Sequence, residues 1–267
     1  MSLGKKERGS MPGQKLRKAP LIEAIVEVRW QPKVPDESGY MLMLGRMAEA
    51  FLHNGYPARQ SLPHADMPPA FAAQMHMVQH QFRVSEGGWP LVQIGPTVFT
   101  LNETEAYDWE GDFRGRAIEA VETLFKVLGG PDQVRIESLL LRYIDGIDFD
   151  WEKASLLEFL ETNLKTRIAF PPALFDNTGV NPTPAGLDFT SSFRCMSPAG
   201  IVHLRLASGQ SKGKTALVME TMVQSLDADV PSLPTGFADW LDAAHEVPSR
   251  WFRLLTQGEL YRRFQGD

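Results

Sequence analysis

The chain has 267 residues, a formal net charge of −6 from 27 basic and 33 acidic side chains, 43% hydrophobic residues and one cysteine. That length suits one large domain or two small ones with a real core, and it excludes collagen-like and disordered classes. A single cysteine excludes an internal disulfide and a thiolate zinc cage, so packing must hold the fold, and a reducing compartment is expected.

The charge is uneven. Residues 1–18 carry Lys5, Lys6, Arg8, Lys15, Arg17 and Lys18 against Glu7, which gives +5 and leaves −11 for the rest. An acidic body disfavours nucleic acid and anionic lipid as partners. The leader MSLGKKERGSMPGQ has no apolar stretch, so it reads as a disordered basic tail and not a signal peptide. No apolar run approaches the roughly 20 residues that span a bilayer, so the expected location is cytoplasmic.

In chain order, LIEAIVEVRW (21–30) alternates as a half-buried strand. YMLMLGRMAEAFLHNGY follows at helical spacing. AAQMHMVQHQFRVSE then reads as a strand, and LVQIG with TVFTLN as one further strand or two. FRGRAIEAVETLFKVLGG is a helix ending on Gly129 and Gly130, with Pro131 beyond. The order then repeats: a strand in ESLLLRYIDGIDF, and a helix in SLLEFLETNL behind Asp150 or Ser155. A Pro/Asn/Gly-rich stretch (170–186) leads to strands in LDFTSSFRCM, GIVHLRLAS and TALVMETMVQS. The closing helical segment, GFADWLDAAHEVPSRWFRLLTQGELYRRF, should break near Pro248 and Gly258.

Two successive strand, helix, strands, helix units predict an α+β fold of two similar halves, 19–131 and 132–267. Their antiparallel sheets would be covered by helices in a duplicated, TATA-binding-like or ferredoxin-like arrangement. The alternative is one continuous sheet without a repeat.

Several stretches resemble a sporadically distributed family of uncharacterised bacterial proteins. They are LRKAPLIEAIVEVRW with its Pro-x-x-Glu-Ala-x-x-Glu spacing, QIGPTVFTLN with AYDWEGDF, the Arg-Tyr-Ile strand of LRYIDGIDF, and the closing Ala-His helix FADWLDAAHEVPSRWFRLLT. The resemblance implies a grouping and no activity.

The candidate site is a polar groove. Glu23, Glu27 and Arg29 share one face of the first strand. Arg142, His203, Arg205 and Glu220 lie on the polar alternation of their own strands, so halves packed face to face could bring them together. The bland alternative is a solvated sheet face with internal ion pairs. Tyr107 and Trp109 could wall a ligand or simply staple the helix that follows. His245 reads as a packed histidine bonded to a neighbouring strand, and as a base only if it opens onto the groove.

Other signals fail on spacing. His76 and His80 sit four apart on an expected strand, about 13 Å from one another, too far to share a metal. GQSKGKT lacks one residue of a phosphate-binding loop and leads into a strand, so it reads as a hairpin tip. Asp176, Asn177 and Asn181 lack calcium-loop spacing and should shape turns. Cys195 has no catalytic partner in sequence and reads as a small buried hydrophobe.

These features predict a cytoplasmic, non-enzymatic binding or accessory module for a protein or small-molecule ligand, with no cofactor, no metal and an open oligomeric state. A hydrolase using Glu27, Arg142 and His203, or a nucleic-acid-binding saddle, are the rival expectations.

Overall fold

The computed structural model describes residues 16–33, 37–104, 106–151, 154–211 and 213–266. Most of the expected basic tail, 1–15, lies outside the described residues. Its last three residues do not trail free: the Lys18 amide donates to the Phe264 carbonyl at 2.9 Å, and Leu16 packs on buried apolar side chains.

The strands are β1 (Leu21–Pro32), β2 (Ala58–Ser61), β3 (His80–Arg83), β4 (Leu91–Ile94), β5 (Val98–Glu103), β6 (Val134–Asp148), β7 (Asp188–Met196), β8 (Ala199–Ser211) and β9 (Lys214–Leu226). They form one nine-stranded sheet in the order β2-β3-β4-β5-β1-β6-β9-β8-β7, with every neighbouring pair antiparallel. The helices are α1 (Glu37–His53), α2 (Pro69–Gln74), α3 (Arg114–Leu128), α4 (Leu156–Leu164), α5 (Phe237–Leu255) and α6 (Glu259–Gln265). The fold is thus α+β with an open antiparallel sheet.

Strand alternation decides which face the helices take. Ala24, Val26, Val28 and Trp30 of β1 are buried, and the register sets them beside Tyr143, Leu141 and Leu139 of β6 and Leu101 and Phe99 of β5. These residues form one core with Leu44, Met47 and Phe51 of α1, Leu124 of α3, and Trp240 and Leu241 of α5. A second cluster joins Ile147, Leu206, Leu217 and Met219 to Leu156, Leu160 and Leu164 of α4 and Leu260 and Phe264 of α6. By the same register, Glu23, Glu27, Arg29, Arg142, His203, Arg205 and Glu220 occupy the opposite face.

Local chemistry sets several boundaries. The Ser155 hydroxyl caps α4 by accepting the Glu158 amide at 3.5 Å, and Gly129, at φ 82°, closes α3 in the left-handed conformation. β4 and β5 are separate strands of one hairpin. Asn181 Oδ1 accepts the Thr183 amide at 2.9 Å, so this loop residue does shape a turn. β8 and β9 meet in the expected hairpin, with Gly213 at φ 74°.

Three expectations need correction. The stretch 72–79 is not strand: α2 ends at Gln74, His76 has φ 46°, and β3 starts only at His80. The Gln79 amide instead donates to the Met67 carbonyl at 2.9 Å, and Thr97 Oγ1 to the Ala73 carbonyl at 2.9 Å. Next, α5 runs through Pro248 and stops at Leu255. Its buried stripe of Phe237, Trp240, Leu241, Ala244 and Pro248 explains this, since each large apolar residue contributes about 2 kcal/mol and together they exceed the roughly 3 kcal/mol cost of an internal proline. Finally, Cys195 is only half-buried, and its thiol donates to the Ser197 carbonyl at 3.5 Å.

No helix among the described residues is long and apolar enough to cross a membrane. Close strand packing makes Gly200 hard to replace. A Cβ on Gly200, at φ 151°, would lie 2.2 Å from the Gln224 carbonyl oxygen, whereas one on Gly213 would meet nothing within 4 Å. Gly200→Ala should cost about 2 to 4 kcal/mol and Gly213→Ala about 1 kcal/mol, read as the difference in urea midpoints; equal losses would contradict this packing.

Candidate functional site

The predicted groove residues share a face but not a constellation. Glu27 Oε1 lies 2.6 Å from Arg29 Nε, a close ion pair whose angle is not that of a hydrogen bond. Glu23 accepts from the Asn102 amide at 2.7 Å. Arg142 donates to Glu220 at 2.8 Å, and Glu220 lies 3.9 Å from Arg205, which forks onto Asp188 at 2.9 Å. His203 Nδ1 is 2.8 Å from the Ser192 hydroxyl. Among the described residues, Glu27, Arg142 and His203 therefore each have a different partner, and the charges of this face are largely neutralised by one another.

The concentration of unusual chemistry is on the helix-covered face. A cavity of about 870 Å³ opens where the β1–β6 ladder ends, between residues 16–21, the turn at 107–110, the strand residues Tyr143, Asp145 and Thr221, and helix α5. Both Tyr107 and Trp109, the two predicted aromatics, line it.

Each wall has a local cause. Asp108 caps a single π-helical turn, Trp109–Phe113, by accepting the Gly111 amide at 3.0 Å, and this turn runs directly into α3. It holds the Trp109 ring flat on the His245 imidazole, centroids 3.7 Å apart and planes 11° apart. Tyr107, Tyr143 and His245 form a chain: hydroxyl to hydroxyl at 2.8 Å, then hydroxyl to Nδ1 at 2.8 Å. Arg114 forks onto Asp242 at 2.6 and 2.7 Å and ties α3 to α5 across the cavity mouth. His245 is thus bonded to a neighbouring strand and also lines the cavity.

Asp145 is the outlier. It is 6% exposed, and its carboxyl has no hydrogen bond or ion pair among the described residues. Burial alone pushes its carboxyl up to about 7. Burial also holds His245 down at about 4, with Asp242 pulling the other way and Arg253 adding to the depression. Burial raises the Tyr107 and Tyr143 phenols, so at neutral pH they donate and accept hydrogen bonds as neutral groups. Both groups line the cavity, and burial favours the uncharged form of each.

Sequence reading missed Asp145, although its signal is present: Leu139, Leu141, Tyr143, Asp145 and Ile147 are one apolar alternation with a single acid in it. No group of three or more potential metal ligands exists among the described residues. Comparisons of the chain with protein-family models and with curated proteins return no match.

The shifts fix a pH dependence. A carboxyl raised to about 7 stabilises the fold fully below its unfolded value near 3.8 and loses that contribution as pH rises through 7. His245, depressed to about 4, stabilises above 6.5 and loses this as pH falls. The two slopes oppose each other between pH 4 and 6.5. Asp145→Asn should therefore be more stable than the parent at pH 8, by up to ~4 kcal/mol, with the difference shrinking toward pH 4. Urea titrations across this range check it, and a pH-independent difference would refute the buried-acid assignment.

Proposed function

We propose that this protein is a binding module that holds a small molecule in the cavity beneath α5. One observation carries the reading: Asp145 is buried, its carboxyl has no partner among the described residues, and it is part of the cavity wall, which leaves a polar group whose cost a ligand or solvent would offset. A volume of about 870 Å³ suits a small organic ligand, and aromatic walls with few, placed polar groups are the usual make-up of such sites. The ligand would lie between elements drawn from both sides of Pro131, as the sequence reading expected of a cleft, though on the other face of the sheet.

The accompanying fold reading is a duplicated, TATA-binding-like arrangement. Its support is strand order: outward from the β1–β6 pair, each flank continues with the last strand before its long closing helix and then runs backwards through the chain. Membership of the sporadic bacterial family and a cytoplasmic location belong to the same proposal. Nucleic acid is the weaker partner, because the arginines on the open sheet face already face carboxylates there. The hydrolase reading has no support from its three residues, each engaged elsewhere.

Native mass spectrometry after incubation with a small-molecule extract tests the binding reading. The expected outcome is a bound mass that disappears in Ser249→Trp, which fills the cavity from α5 while leaving the circular dichroism spectrum unchanged. A bound mass that persists in that folded variant would place the ligand elsewhere.

A further inference from the structure

We propose that the ligand of this cavity is an organic cation, a primary ammonium or an amidinium on an apolar body, seated on Asp145; this rests on the ligand-binding reading above. The argument is one of depth. Among the charged groups that line the cavity, Asp145 is the buried one, 6% exposed, and among the described residues its carboxyl has no cation beside it. The cavity's own cations are engaged or peripheral. Arg114 is forked onto Asp242, Arg253 donates to the Ser249 hydroxyl at 3.1 Å, and Arg17 and Lys18 are exposed.

Among the described residues the floor is therefore anionic or neutral. Its walls add to the selection. The rings of Tyr107, Trp109, Tyr143 and Phe252 line the same space, and aromatic faces attract a cation that has shed its water. An anion would meet these ring faces and the Asp145 carboxyl at once. A neutral ligand could meet the protonated acid but would leave its ionised form without the charged partner that a buried carboxylate requires. An N–H-bearing cation satisfies both demands, donating to Asp145 while its apolar body covers the rings.

Ligand-observed NMR titrations with benzamidine, phenethylamine, benzamide and benzoate test the inference. The two cations should bind the parent protein at least about tenfold more tightly than benzamide, with benzoate weakest, as expected for a charge-assisted bond to a buried carboxylate. Asp145→Asn, nearly isosteric, should abolish this preference, and Glu220→Gln on the open face should retain it. Benzamide or benzoate binding as tightly as the cations, in competition with one another at the Trp109 ring, would overturn the cation while leaving the cavity as a ligand site. Failure of all four to bind would overturn both.

Discussion

The antiparallel ladder between β1 and β6 is the constraint on which the rest depends. It runs from Pro32 paired with Val134 to Leu21 paired with Asp145, and it carries the sheet across Pro131 without a break. Because side chains alternate, this one register commits Ala24, Val26 and Val28 to the helices and Glu23, Glu27 and Arg29 to the other face. A slip by one residue would bury three charged groups and expose the core. The ladder also locates the cavity. Its register shifts between Leu21 and Glu23, and the Gly146 amide turns to the Pro20 carbonyl at 2.8 Å, so pairing loosens where Asp145 stands.

The two faces handle charge in opposite ways. On the open face, acids and bases neutralise each other in exposed or half-exposed pairs, which contribute little to stability and keep a broad antiparallel surface polar. Under the helices, charge is instead suppressed. Burial leaves His245 neutral and Asp145 largely protonated below neutrality, and the phenols of Tyr107 and Tyr143 neutral. The alternative, an imidazolium facing a carboxylate, would need both ions desolvated, which costs more than their attraction returns unless further hydrogen bonds are present.

What was legible in the sequence was whatever depends on periodicity. The alternation of β1, β6, β8 and β9, and the placement of seven charged or polar residues on one face, follow from a period of two. Long-range effects were not legible. Nothing in AAQMHMVQ distinguishes a strand from a short helix and turn, because the choice is made by Thr97 and by carbonyls near residue 67. The candidate site failed for a related reason. Charged residues on a sheet draw the eye, yet they are common wherever a face is wet; a lone acid within an apolar row is rarer and more informative, as Asp145 is. Tyr107, Trp109 and His245 were visible singly, but their stacking and hydrogen bonding arise from a π-helical turn and a helix more than a hundred residues apart.

Pro248 connects this last point to the chemistry of the cavity. Lacking an amide hydrogen, it cannot donate to the carbonyl of Ala244, four residues back, so α5 carries an acceptor without its helical donor beside His245. Pro248 itself lines the cavity. Local propensity argues against proline here, and the buried stripe of α5 overrides it, so the helix persists with a defect at this position. A defect retained in an otherwise well-packed helix thus lies in the stretch of α5 that also carries His245, on the helix that forms this wall of the cavity.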